Sequence, residues 1–231
     1  FLGSDIYGLR KTFISTFQKE TENNFYARNY FKTYAKFQSK KKLKVGVLTD
    51  QFEGYSRYDS YVKDDFNLFL KKAASPEIDF VPVKAVEFIN EIHPLHEAIY
   101  CKSLAYYFKE EFAHGSGMSP IMSEMIARGE KIDADFFMAA IKKQPDYRVR
   151  FNAIFEDYDF LVTPSTASVA PKVGERERND TCLIWTFLGY PVLSIPLFWS
   201  KEHGLPHGLQ IVAPKFCDFS LFDFGQSIIN K

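Results

Sequence analysis

The sequence predicts an α/β protein with a mixed sheet in a single domain. Short apolar runs rich in β-branched residues alternate with segments of helical periodicity. Two late apolar runs also flank a turn rich in glycine and proline, which is typical of an antiparallel pair. No internal repeat, low-complexity tract or linker divides the 231 residues.

The first predicted unit consists of a strand, a helix and a second strand. LKVGVLTD (43–50) predicts a strand, and IDFVPVK (78–84) predicts a second one. The segment between them carries apolar residues three and four apart on one helical face, namely Val62, Phe66, Phe69, Leu70 and Ala73. This order predicts a right-handed crossover between two parallel strands.

Helices are predicted for most of the next 75 positions, as signalled by proline, capping and glycine residues. The helical pattern from Ala85 to about His114 is interrupted at Pro94. Ser119 followed by proline predicts a helix start, and Gly129 predicts its end. Asp133 predicts the cap of another helix that runs towards Asp157.

The last part returns to strands. FLVTP (160–164) predicts a buried strand, and the polar stretch 172–180 predicts a solvated loop. A helix near 181–188 precedes the strand VLSIPLF, and the turn KEHGLPHG leads to the strand LQIVA. These two strands should pair antiparallel, with a final helix from about Phe219.

Composition excludes several classes of protein. Twenty-nine basic residues balance 29 acidic ones, so no overall field attracts nucleic acid or an anionic membrane. Three widely spaced cysteines argue against a disulfide framework and favour a reducing compartment, so a cytoplasmic location is expected. No transmembrane span or signal peptide is evident in the sequence.

Few residues predict chemistry by themselves. His93 and His96 lack a third metal ligand of suitable type, so neither a metal nor another cofactor is expected. His203 and His207 flank GLP near Ser200, where a base would be of use, but surface turn residues are the better interpretation.

Residues after the FLVTP strand are the better candidates for a pocket. Ser165 and Thr166 follow Thr163 and Pro164, and ligands collect at the carboxyl ends of strands in open α/β sheets. Trp185 lies on an apolar helix face, where core packing is the alternative role.

Three segments in order carry a family resemblance: YDFLVTPSTASVAPKVGE, WTFLGYPVLSIPLF and HGLPHGLQIVAPKFCD. They resemble the C-terminal third of the amidase signature family, and LKVGVL and SPIMSEMIARGEKIDADFFMAA resemble its middle strand and helical insert. The resemblance covers roughly residues 43–231. It implies a mostly parallel mixed sheet with helices on both faces, and amide hydrolysis by a serine, a second serine and a lysine.

The amino-terminal stretch resembles the family's nucleophile region with its centre removed. Gly3, Ser4, Asp5 and Ile6 match the GSDI before the nucleophile, while Tyr7, Gly8, Leu9 and Arg10 match the YGLK after it. Residues 1–13 are therefore interpreted as a remnant, and no catalytic residue can be assigned. The bridging serine and the lysine would lie upstream of Phe1.

The resemblance thus implies one partial domain, incomplete relative to the amidase signature fold. The stretch from Ser15 to Lys42 lacks the family's GPMAR-like segment, which indicates a second shortening. An incomplete record, a shortened transcript and a degenerate copy all remain open. The chain is expected to need the missing amino-terminal half or self-association, since exposed sheet edges favour association.

The implied function is hydrolysis of a small-molecule amide by a protein of which this chain is an inactive part. Thr163, Ser165 and Trp185 are the predicted substrate-binding residues. The aromatic content, with 24 phenylalanines and 13 tyrosines, favours a lipid-like or aromatic amide of the kind cleaved by fatty-acid amide hydrolases. The alternative is a catalytically inactive scaffold or ligand-binding protein.

Overall fold

The computed structural model describes residues 2–16, 33–84, 86–114, 117–175, 177–178 and 181–229. Five strands form one mixed sheet in the order β2-β1-β3-β5-β4. β1, β2, β3 and β4 run in one direction and β5 runs against them, which confirms the predicted mixed, mostly parallel sheet. The strands are β1 (Leu43–Val47), β2 (Ile78–Pro82), β3 (Phe160–Pro164), β4 (Val192–Ser200) and β5 (Leu205–Val212).

Eight α-helices with defined bounds surround the sheet within these residues. They are α1 (Ile6–Thr16), α2 (Ser60–Ala73), α3 (Ile92–Tyr107), α4 (Lys109–His114), α5 (Pro120–Lys131), α6 (Ala134–Asp157), α7 (Cys182–Leu188) and α8 (Asp218–Ile229). Two 3₁₀ turns cover Glu53–Arg57 and Glu87–Glu91, and residues 33–38 are also helical. None of the helices in the described ranges is long and apolar enough to cross a membrane.

The predicted strand, helix and strand unit is confirmed. β1 and β2 pair in parallel from Leu43 opposite Ile78 to Val47 opposite Pro82, and α2 connects them. α2 turns Val62, Phe66 and Ala73 inward, as its apolar spacing predicts.

Alternation along the strands divides the core in two, because successive side chains point to opposite faces. One face of β3 directs Leu161 towards Trp185 and its neighbours, and we call this set the Trp185 core. The other face directs Phe160 and Val162 into the Phe224 core. There the Phe160 and Phe224 rings stack with centroids 4.4 Å apart. Helices therefore cover both faces of the sheet, as predicted.

The helical layer follows the predicted caps with one exception. Ser119 accepts a hydrogen bond from Met122 N, and Asp133 accepts bonds from the first backbone amides of α6. Pro94 lies within the first turn of α3, where proline is tolerated. The predicted helix end at Gly129 is wrong, since α5 continues to Lys131. A Cβ on Gly129 would lie 1.9 Å from Cys101 O, so this glycine allows α3 and α5 to approach closely.

The late hairpin is longer than predicted. β5 begins at Leu205, so half of the expected eight-residue turn belongs to the strand. The pairing of β4 with β5 shifts between Ile195 and Phe198, around Pro196, which has no backbone donor for the ladder.

Part of the stretch 15–42 lies outside the described residues, namely 17–32, so the expected shortening there stays a prediction. Residues 33 and 34 are tied to α8 and to the turn before it. Thr33 Oγ1 donates to Phe216 O at 2.7 Å, and Tyr34 OH donates to Asp223 Oδ2 on α8 at 2.5 Å.

Candidate functional site

A buried polar network lies near the carboxyl end of β3. The side-chain oxygen of Gln210 accepts hydrogen bonds from Trp185 Nε1 at 2.7 Å and from Thr181 Oγ1 at 3.1 Å. Thr163 Oγ1 lies 3.0 Å from Thr181 Oγ1 and 3.4 Å from Gln210 Oε1. All four residues are at most 2% exposed. We call these residues the Gln210 network.

Strand register explains how the network assembles. Thr163 on β3 and Ser194 on β4 both pair with Gln210 on β5, so the three side chains share one face of the sheet. α7 packs on the same face and supplies Trp185, while Thr181 precedes the helix. Two strands, one helix and its preceding residue therefore fix one side-chain amide.

The network also fixes which way the Gln210 amide faces. An indole nitrogen can only donate a hydrogen bond, so the atom opposite Trp185 must be the amide oxygen. Gln210 Nε2 then faces Ser194 Oγ at 3.5 Å and Cys182 Sγ at 3.6 Å. Both of those residues are exposed. The buried amide thus directs its donors towards the open surface between α7 and β4.

The three predicted substrate-binding residues do not all lie together in the structure. Thr163 and Trp185 meet in the Gln210 network and are fully buried. Ser165 is half-buried one residue beyond β3, and its backbone N–H donates to Gly208 O at 2.8 Å. Ser165 therefore lies closer to solvent than the other two residues.

A cleft of about 240 Å³ lies beside the loop that follows β3. Its walls come from Thr166–Lys172 together with Glu175, Glu177, Arg178 and His203. Charged residues of both signs line it, so it has no strong preference for an anion or a cation. Its position after the carboxyl end of β3 agrees with the usual place of ligands in α/β sheets.

The wall of this cleft is fastened to the start of α2. Asp59 accepts hydrogen bonds from Arg178 Nη1 at 2.6 Å and from Ser168 Oγ at 2.7 Å. Val169 N also donates to Tyr61 OH at 3.0 Å. Burial raises the pKa of the Asp59 carboxyl, but the bonds from Arg178 and Ser168 outweigh it and hold that pKa below its usual value.

His207 has a setting that local sequence does not reveal. Its interpretation as a surface turn residue is wrong, since its side chain is fully buried within β5. His207 Nε2 lies 3.0 Å from Asp65 Oδ2, and Nδ1 has no hydrogen-bond partner among the described residues. Burial lowers the pKa of His207 despite the opposing effect of Asp65. Ser200 does not meet His207 and instead accepts a bond from His203 N at 3.3 Å.

The segment that the sequence predicts to be a remnant of the nucleophile region forms a capped helix. Ile6 and Tyr7 are consecutive residues of α1, and Asp5 Oδ1 accepts a bond from Gly8 N at 2.6 Å. Ser4 Oγ donates to Asp5 Oδ2 at 3.3 Å, and Gly3 is exposed. Arg10 pairs with Asp223 on α8 at 3.5 Å. All of these contacts support the helix.

No group of three or more potential metal ligands occurs in the part of the chain that the structure describes. His93 stacks on Phe52 with ring centroids 5.3 Å apart, and His96 stacks on Tyr100 at 5.7 Å.

Comparison with known proteins gives a family match over nearly the whole chain. The family model described as Amidase matches residues 5–222. A glutamyl-tRNA(Gln) amidotransferase subunit from Brevibacillus brevis is 33% identical over 126 residues, which are 49% of this chain and 25% of the relative. The corresponding Borrelia garinii protein is 25% identical over 207 residues, which are 74% of this chain and 41% of that relative.

Solved structures show the same fold at low identity. A crystal structure of an amidase matches with a TM-score of 0.69 and 20% identity, over 82% of this chain and 45% of that chain. A 6-aminohexanoate cyclic dimer hydrolase matches with a TM-score of 0.61 and 18% identity, over 93% of this chain and 49% of that chain. The chain thus spans less than half the length of these relatives.

Proposed function

Because this chain belongs to the Amidase family, we propose that it is the supporting part of an enzyme that cleaves an amide C–N bond. The match of the family model to residues 5–222 is the observation that carries this proposal. The Gln210 network supports it physically, because it joins the carboxyl end of β3 to β5 and α7, close to where a substrate would bind.

Within that enzyme the three predicted pocket residues would lie at different depths below the protein surface. Ser165 is half-buried and lies close to Gly208, where it can reach a bound amide. Thr163 and Trp185 lie behind it and hold the Gln210 amide in place. We therefore propose Ser165 as a contact residue and Thr163 and Trp185 as positioning residues.

The 231-residue chain is proposed to be inactive by itself. Across the junction of Ile6 and Tyr7 it forms a continuous helix, which leaves no loop for a nucleophile and its backbone donors. Loss of one oxyanion donor alone slows an acyl transfer by about a hundredfold to a thousandfold. The reacting serine, its base and the oxyanion donors would come from a segment outside this sequence.

Two substrate classes are proposed. The aromatic content suggests a lipid-like or aromatic amide, yet Phe66, Phe160 and Phe224 are fully buried in the Phe224 core. Many of the aromatic rings thus pack the protein interior. The curated relatives are named as subunits of glutamyl-tRNA(Gln) amidotransferase, which favours transfer of an amide nitrogen within a multi-subunit assembly.

The alternative is a catalytically inactive scaffold or ligand-binding protein. The capped helix at the remnant favours it, since the contacts of Asp5 and Arg10 are all structural. A scaffold would keep the cleft beside the loop that follows β3 and bind an amide without turnover.

Labelling in the native source tests the two proposals. Cell extract is treated with a fluorophosphonate, and proteins that contain peptides of this chain are captured and sized. A labelled species heavier than 26.7 kDa that cleaves an aryl amide, a fatty amide or glutamine supports the proposal of an enzyme. An unlabelled species of 26.7 kDa that binds amides without turnover supports the scaffold.

A further inference from the structure

A second cleft, of about 210 Å³, lies at the amino-terminal end of β3. Ser165 and the Gln210 network lie at the opposite end of that strand, so this cleft is separate from the site described above. Four aromatic residues are part of its lining, namely Phe37, Phe155, Tyr158 and Phe160. A cavity of about 150 Å³ is enough to hold benzene, so a ring-sized apolar group has room here.

The remaining lining is mostly basic. Lys36, Lys40 and Lys215 line the cleft, against one carboxylate, Asp159. That carboxylate is already neutralised, since it pairs with Lys40 and accepts a bond from Lys44 N at 2.9 Å. Lys36 and Lys215 have no carboxylate partner among the described residues. Two positive charges at this cleft are therefore left without a counter-ion.

Ser220 adds an unused hydrogen-bonding group. It is 1% exposed, lines the cleft, and its hydroxyl has no hydrogen-bond partner among the described residues. The carbonyl four residues earlier in the chain, a common acceptor for a helical serine, is Phe216 O, which already accepts a bond from Thr33 Oγ1 at 2.7 Å. A buried hydroxyl without a partner is costly, so this position favours an acceptor that enters the cleft.

Cys217 does not cancel the positive charge. It lines the same cleft, and burial raises the pKa of its thiol to about 11. The thiol is therefore uncharged at neutral pH, and the basic excess from the lysines remains.

We propose that this cleft binds a small anion whose phosphate or carboxylate head is carried on a ring-sized apolar group. Lys36 and Lys215 pair with the head, and the hydroxyl of Ser220 gains an acceptor from it. The aromatic residues of the lining pack against the apolar group. Both lysines are exposed, so the interaction is salt-dependent and the binding is reversible.

Calorimetric titration of the full chain tests the site with four probes. Phenyl phosphate and benzoate represent the two head groups, benzyl alcohol removes the charge, and inorganic phosphate removes the ring. Phenyl phosphate or benzoate should bind at least tenfold more tightly than benzyl alcohol and inorganic phosphate. The tighter of the two identifies the head group that the cleft takes.

Variants locate the binding. Lys36→Gln and Lys215→Gln should each weaken it about twofold to fivefold, which is the loss expected for an exposed ion pair. Ser220→Ala should weaken it several-fold while leaving the Tm of the unliganded chain unchanged or higher. Lys142→Gln, at an exposed position on α6, is the matched control and should bind as the wild type does.

Three results would overturn the proposal. The first is that the charged probes bind no better than benzyl alcohol. The second is that a variant carrying both Lys36→Gln and Lys215→Gln binds as well as the wild type. A loss of binding in Lys142→Gln equal to that in Lys36→Gln would also contradict it, because it would show a general charge effect.

Discussion

Trp185 Nε1 and Gln210 Oε1 lie 2.7 Å apart in a fully buried hydrogen bond that joins α7 to β5. The same oxygen also accepts a hydrogen bond from Thr181 Oγ1, so one acceptor holds residues from separate elements. A buried donor that loses its only acceptor pays the whole cost of its desolvation. The side-chain oxygen of Gln210 is for this reason the centre of the Gln210 network.

Gln210→Leu should lower the free energy of unfolding by about 2 to 4 kcal/mol, because it leaves the buried donor of Trp185 and that of one of the two threonines, Thr163 or Thr181, without an acceptor. Urea unfolding measures the change. Gln38→Leu, at an exposed position in the helical residues 33–38, is the control and should stay within about 0.5 kcal/mol of the wild type. Equal stability of the two variants would show that the network does not hold the fold together.

Local sequence predicts much of the fold because its signals come from near neighbours. The apolar spacing of α2 and the caps at Ser119 and Asp133 all act within one helical turn, and each is confirmed. Sequence motifs also predict Thr163 and Trp185 as site residues, and their roles stay a proposal.

Contacts between distant parts of the chain cannot be predicted in this way. Asp65 and His207 are 142 positions apart, so no local pattern reveals that they meet. The interpretation of Gly129 as a helix end fails for the same reason, since its close neighbour Cys101 lies on another helix. The Gln210 network depends on strand register and on the packing of α7, neither of which follows from local sequence.

Gly129→Ala should destabilise the protein although alanine is the better helix former. The added Cβ would meet the carbonyl of Cys101 at 1.9 Å, so α3 and α5 must separate. Overpacking of this kind costs about 1 to 3 kcal/mol. Thermal unfolding should give a lower Tm for Gly129→Ala than for the exposed control Glu130→Ala, and a higher Tm would disprove the close packing.

Asp5→Ala should loosen α1, because Asp5 caps it through Gly8 N at 2.6 Å. Loss of such a cap costs about 1 kcal/mol. Amide hydrogen exchange should speed up in the first turn of α1, while Asp5→Asn, which keeps the acceptor, should stay close to the wild type. Unchanged exchange in Asp5→Ala would show that the remnant does not use Asp5 as a cap.

The stability of the fold should fall as the pH drops below the unfolded pKa of histidine, about 6.5. Burial lowers the pKa of His207 and, together with His93, that of His96, so the unfolded chain binds more protons in this range. His207→Gln should flatten the dependence between pH 7.5 and pH 5, measured by urea unfolding, whereas the exposed control His114→Gln should keep it. A steeper dependence in His207→Gln would mean that Asp65 raises the pKa of His207 instead.

Intact mass spectrometry of the purified 231-residue chain after fluorophosphonate treatment tests the central claim most directly. The chain is held to carry the supporting side of an amidase site without its reacting serine. The predicted result is an unmodified mass of 26.7 kDa and no cleavage of any amide offered. One stoichiometric adduct on a serine of this chain, accompanied by amide hydrolysis, would contradict the claim.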